Sequence, residues 1–232
     1  MNPIAHRSKL LARDAGAEAP EFHPFARTTP DPELPLRRPD RGVGRVDNAR
    51  WLSRAPWITL ALVALSVLLD LDPATWQIDR VAAGEPWRWA TGHLVHWNPS
   101  HRLWDVAVVL VFGVALERTS RRTLGEVVLA AMLASSAMFA AMYDDLDTYR
   151  GLSGVACGLV AACGMTSLRR GDRVAGTALL LGLFGKIAVE SLATGPMFAG
   201  GGFMNVPGVH LAGALSGVLA VAWRRATRRT RG

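Results

Sequence analysis

An all-α membrane protein, a bundle of six transmembrane helices, is the fold class this sequence predicts. Three observations predict it. Six apolar blocks, at 55–71, 101–116, 123–143, 151–168, 174–192 and 206–223, hold 16–21 residues each, close to the roughly 20 that span a hydrocarbon core as helix. No block carries a proline in its middle, so nothing interrupts the backbone ladder there. Arginines gather at alternate block ends, where membrane topology puts them.

The charge asymmetry sets the orientation. Arg118, Arg121 and Arg122 follow the second block, Arg169, Arg170 and Arg173 the fourth, and Arg224, Arg225, Arg228, Arg229 and Arg231 the sixth. The opposite loops carry only Arg80, Arg88 and Arg150, beside Asp72, Asp79, Glu85, Asp144, Asp145 and Asp147. An excess of Lys and Arg marks cytoplasmic loops, so both termini are expected in the cytoplasm, with the bundle in a bacterial-type inner (plasma) membrane. The first block is short, which fits a thin bilayer or an end recessed in the interface.

Residues 1–50, rich in Pro, Arg and acidic side chains, lack a periodic apolar pattern and read as a mostly disordered cytoplasmic tail, with a short amphipathic helix possible near 4–12. No continuous apolar stretch opens the chain, so a cleaved signal peptide is not expected. Residues 51–224 then form the membrane domain and 225–232 a basic cytoplasmic tail. Half of the chain is hydrophobic and 19% charged, an ordinary mean whose distribution carries the information. The net charge of +7 is explained by topology, so nucleic acid is not an expected partner; the lipid bilayer is. Cys157 and Cys163 lie six residues apart in one block, about 9 Å of helical rise and too far for a disulfide.

The loop 72–100 contains Trp76, Trp87, Trp89 and Trp97. Tryptophans favour the membrane–water interface, so the loop is expected to lie there as short helical pieces. Gly154 and Gly158 in the fourth block, and Gly213 and Gly217 in the sixth, have the GxxxG spacing that lets helix backbones approach closely.

Two residues carry the chemistry. Ser153 sits in Gly151-Leu152-Ser153-Gly154, where an acidic loop enters the fourth block. It reads either as a helix N-cap or as a nucleophile beside the free N–H groups of a helix start, which suit a developing oxyanion. His210 lies one turn inside the sixth block. An ionisable residue there is a functional candidate, against the alternative of a His bonded between helices. Topology puts both at similar depth. Serine is a poor nucleophile until a base takes its proton, and histidine is the usual base. The Gly-rich stretch 195–202 with Met204 suggests a movable cap. His93, His96 and His101 are close in sequence, but no Cys or carboxylate completes a familiar zinc set. Neither a metal nor a cofactor is expected. Lys186 and Glu190, spaced i, i+4, read as a structural ion pair or the lining of a polar access path.

Together these segments resemble the rhomboid family of intramembrane serine proteases over residues 51–224. Arg88, Thr91, His96 and His101 resemble its first-loop and second-helix pattern. Glu117 stands at the expected inner end of the second helix, Gly151–Gly154 resemble its GxSG, and His210, Gly213 and Gly217 its HxxGxxxG. The resemblance implies a Ser153–His210 dyad without a third acid, in which Ser153 is the nucleophile and His210 the base. It implies that His101 and the Ser153 N–H bind the oxyanion, and that single-span membrane proteins are the substrates. Two positions depart from it. Asp105 replaces a common Asn; an ionised Asp donates no hydrogen bond and repels an oxyanion, so its preferred reading is orientation of His101. Cys157 replaces a Tyr that often packs on the catalytic His, so the His must be held by other contacts. These departures, with Tyr149–Gly154 and Leu103–Asp105, look like the rhombosortase branch, which implies substrates with C-terminal Gly-Gly-type sorting anchors. The competing readings are a non-catalytic rhomboid-like binder of transmembrane helices, for which Asp105 leaves room, and a small transporter, which would need a paired repeat that the chain lacks.

Overall fold

A computed structural model of the chain describes residues 55–69, 72–143, 145–192 and 204–229. The expected tail at 1–50, its helix near 4–12 and the cap at 195–202 lie outside the described residues. Six longer helices are described: α1 (Trp57–Leu68), α4 (Pro99–Thr119), α5 (Arg121–Met142), α6 (Ser153–Arg169), α7 (Arg173–Leu192) and α8 (Pro207–Arg229). Between α1 and α4 lie a 3-10 turn (Asp72–Ala74) and the short helices α2 (Ile78–Ala82) and α3 (Arg88–Thr91). Strand β1 (Trp76–Gln77) pairs antiparallel with β2 (Thr148–Tyr149) in the register Trp76 to Tyr149 and Gln77 to Thr148.

Among the described residues, α4, α5 and α7 are long and apolar enough to cross a membrane by length and composition. The sequence pattern predicts six such spans. The difference has local causes: α1 ends after 12 residues, α6 is 17 residues long, and α8 runs past Arg224 into an arginine-rich end. Many large apolar side chains lie outside, while small polar ones join large apolar ones such as Leu116, Leu124, Phe139 and Leu159 inside. Leu181 is 70% exposed and Val174 84%, whereas Ser135 and Ser136 are fully buried. This outward apolar surface suits a hydrocarbon solvent, where it costs nothing and polar groups need internal partners.

Helix α6 stands at the centre, packed against α4, α5, α7 and α8. Its small side chains make this possible: Gly154, Ala156, Cys157, Gly158, Ala161, Ala162 and Gly164 are all buried. The closest contact is with α8. A Cβ on Gly213 would collide with the carbonyl of Gly154, and one on Gly217 with the carbonyl of Gly158. The two glycine pairs therefore face each other with backbones in contact.

One end of the bundle is tied by arginines. Arg224 Nε reaches Glu126 Oε2 at 2.5 Å and its Nη1 reaches Thr123 Oγ1 at 2.9 Å. Arg170 meets Thr119, and Arg169 meets the Val221 carbonyl. At the same end the buried Glu117 accepts from the backbone N–H groups of Ile58 (3.1 Å) and Thr59 (2.8 Å) and from Thr59 Oγ1 (2.8 Å). Helix α1 has no side-chain cap of its own, so this carboxylate supplies the acceptors that a helix N-terminus lacks.

At the opposite end, residues 72–98 form a folded unit of short helical pieces, as the tryptophan pattern predicts, with a strand pair it does not foretell. Arg88 donates to Glu85 (2.6 Å) and to the Thr75 carbonyl (2.5 Å), and Thr91 to the Ala74 carbonyl (2.8 Å). The tryptophans divide. Trp87 and Trp97 are exposed, but Trp76 is 1% exposed and meets Trp89 and Phe139 edge-on. Trp76 is thus a core residue rather than an interface anchor, because β1 turns its ring inward onto α5.

Replacing Gly213 by Ala should lower stability by about 1–3 kcal/mol, since a Cβ forces two backbones apart in a tightly packed interface. Thermal unfolding in detergent against the wild type measures it.

Candidate active site

The segment before α6 is pinned from three sides. β2 is held by β1. The Tyr149 hydroxyl donates to the Gly151 carbonyl at 2.9 Å, and the Gly151 N–H donates to the Gly92 carbonyl at 3.2 Å. Burial pushes the Tyr149 phenol above its usual range, so it stays a neutral donor. Gly151 has φ +131°, a conformation that disfavours a side chain. A Cβ there would also stand 2.7 Å from His101 Cε1 and 3.2 Å from Asp105 Oδ2. Both demands select glycine.

Ser153 then opens α6. The N-cap position is Leu152, with no side-chain cap bond, so the serine does not serve as the cap. Its Oγ lies 2.9 Å from His210 Nε2. The start of α8 is fixed by α5 and its C-cap: the Gly208 N–H donates to Tyr143 Oη at 2.9 Å, and Ser135 Oγ donates to the Val209 carbonyl at 3.2 Å. Val209 joins Trp76, Phe139 and Tyr149 in one apolar cluster. The residue before His210 and the strand before Ser153 thus share a core.

His210 Nδ1 lies 2.9 Å from Glu190 Oε2, and Lys186 Nζ 2.7 Å from the same oxygen. The i, i+4 spacing of Lys186 and Glu190 accounts for their pairing by itself and conceals the second contact. What points to it is depth: Glu190 is two residues from the end of its block and His210 four residues into the next, so adjacent antiparallel helices bring them level.

His101 and Asp105 stand across Gly151 on α4. Asn98 caps that helix, accepting from the His101 N–H at 2.8 Å, and Pro99 begins it. His96 Nε2 and His101 Nε2 both lie 3.3 Å from Asp105 Oδ2, so one carboxylate bridges two imidazoles. The three nearby histidines split: His93 Nε2 meets the Met132 carbonyl and Ser136 Oγ on α5, each at 3.0 Å. Among the described residues no three His, Cys, Asp or Glu side chains converge as metal ligands would. Cys157 and Cys163 are free thiols.

A cavity of about 800 Å³ joins these groups. Ser153, His210, His101, Asp105, Lys186 and Glu190 line its polar part; Val108, Phe112, Val160, Leu179 and Leu183 line an apolar arm between α4, α6 and α7. Arg150 lies over the Trp97 ring at 4.9 Å, and both residues and Met204 also line the cavity.

A helical bundle with apolar outward faces, three of whose described helices are long and apolar enough to cross a membrane, defines the class: a membrane-embedded helical protein. The Rhomboid domain matches residues 83–226, more than half of the chain, and the chain belongs to the rhomboid family. Its members are in general intramembrane serine proteases, and this chain is a multi-pass membrane protein. No curated protein matches the chain significantly.

Burial lowers the His93 imidazole to about 4. Between that value and the ordinary 6.5 the unfolded chain takes up a proton that the buried ring refuses, so acid favours unfolding. Stability should fall as pH drops through this window, and more steeply in the wild type than in His93→Gln. Unfolding midpoints at stepped pH check it.

Proposed function

We propose that this protein is an intramembrane serine endopeptidase in which Ser153 is the nucleophile and His210 the general base. The observation that carries the reading is the 2.9 Å contact between Ser153 Oγ and His210 Nε2 in the lining of a cavity. Six spans with both termini in the cytoplasm of a bacterial-type inner membrane complete it. The arginine-tied end of the bundle then faces the cytoplasm, and the Ser–His pair lies near the outer face.

The geometry supports the following reaction. His210 Nε2 accepts the Ser153 proton as Oγ attacks the carbonyl carbon of the scissile peptide. The tetrahedral oxyanion forms at the start of α6, where the Ser153 N–H and the helix dipole favour negative charge. His101 stands beside Gly151 as a further donor, its Nε2–H shared between the oxyanion and Asp105 Oδ2 3.3 Å away, while Asp105 as a carboxylate cannot donate itself. His210 then gives its proton to the leaving amine, and an acyl-enzyme remains. Water enters, His210 takes its proton, and the ester is hydrolysed. The apolar arm of the cavity suits an apolar peptide segment, and the polar rim gives water a path. Single-span membrane proteins are the substrate class. The likeness to the rhombosortase branch narrows it to proteins ending in a Gly-Gly-type sorting anchor.

A fluorophosphonate probe should label the purified wild type and fail to label Ser153→Ala and His210→Ala. A folded wild type that never reacts removes the proposal. His101→Ala should slow turnover by about 10²–10³ while KM changes little, since an oxyanion donor acts in the transition state. Steady-state kinetics on a quenched membrane-anchored peptide measures both.

A further inference from the structure

We propose that Glu190 is a positioning residue for His210, closing a Ser153–His210–Glu190 chain that Lys186 holds from behind; this rests on the protease reading above. The two ring nitrogens of His210 are both engaged, Nε2 by Ser153 Oγ and Nδ1 by Glu190 Oε2, each at 2.9 Å. A carboxylate only accepts. Nδ1 must therefore carry the proton, which leaves the Nε2 lone pair facing the serine hydroxyl. That is the tautomer a general base needs, and the carboxylate also stabilises the imidazolium formed when the base is protonated.

Lys186 fits this arrangement. Its Nζ lies 2.7 Å from the same Oε2 and 3.4 Å from His210 Nδ1. Two donors so placed share the oxygen between them. The Glu190 side chain is 3% exposed and that of Lys186 27%; both line the cavity, with the carboxylate the more deeply buried of the two. Asn205 Nδ2 donates to the Glu190 backbone carbonyl at 2.9 Å, which ties the end of α7 to the segment leading into α8. Glu190 and Lys186 from α7, Ser153 and Cys157 from α6, Asp105 from α4, and Asp145 and Asp147 line the same cavity as His210; among the described residues Glu190 is the carboxylate that contacts the ring. With Cys157 where the resemblance leads one to expect a packing Tyr, the ring is steered by this hydrogen bond instead.

The test uses the full chain in detergent, with the fluorophosphonate as probe, separating the maximal labelling rate from the probe concentration at half-maximum. Glu190→Gln should lower the maximal rate by about 10²–10⁴, with little change in half-maximal concentration, as loss of the orienting carboxylate does in a triad. Glu190→Asp should recover at least about tenfold of that loss, because a carboxylate can again accept from Nδ1. The double variant Glu190→Gln/Lys186→Met removes both charges and guards against a misfolded single variant. It should unfold near the wild-type temperature yet stay slow. Wild-type labelling rates in folded Glu190→Gln or in the double variant reduce Glu190 to a structural partner of Lys186 and overturn the inference, while labelling that still vanishes in Ser153→Ala leaves the protease reading standing. A wild type that does not label at all removes both.

Discussion

The carbonyl oxygens of Gly154 and Gly158 occupy the places where Cβ atoms on Gly213 and Gly217 would stand. With the two backbones this close, a side chain at the start of α6 and one a turn into α8 can share a hydrogen bond. At ordinary interhelical distances of 8–10 Å a serine is too short to reach a histidine in this way. The Ser153–His210 contact, the seating of α6 among four neighbours and the cavity beside it all follow from backbones packed without intervening side chains.

The second constraint is rigidity at the site end. Ser153 lies on a helix whose first residues are held by a strand pair, a tyrosine hydroxyl and a backbone bond to Gly92. His210 lies on a helix whose start is held by Tyr143 and Ser135. One cluster of Trp76, Phe139, Tyr149 and Val209 supports both. Side chains that must meet within a few tenths of an ångström need such fixed carriers.

Each buried carboxylate among the described residues has polar neighbours suited to it. Glu117 takes the free N–H groups of α1, Asp105 lies between two imidazoles, and Glu190 receives an ammonium and an imidazole. A charge in an apolar surround is costly unless it is paired and hydrogen-bonded, so these three residues organise their helices as much as they decorate them. Glu117 acts at the arginine-tied end; the other two stand at the cavity.

Apolar block length, arginine placement, the glycine spacings and the positions of Ser153 and His210 were readable in the sequence, because each rests on local pattern: hydropathy over a span, or small residues on a helical period. The helical character of residues 72–98 was readable too, from its tryptophans. The inward turn of Trp76 was not, since a two-residue strand carries no periodicity and its partner lies more than seventy residues away. Nor was the contact of Glu190 with His210, because the i, i+4 lysine explained the glutamate locally. By itself the sequence determined where the polar residues fall along each apolar block and which helices could touch. Only the tertiary structure decided which polar groups meet, because rotation about a helix axis and side-chain direction are set by packing against all the neighbours at once, and no single segment encodes them.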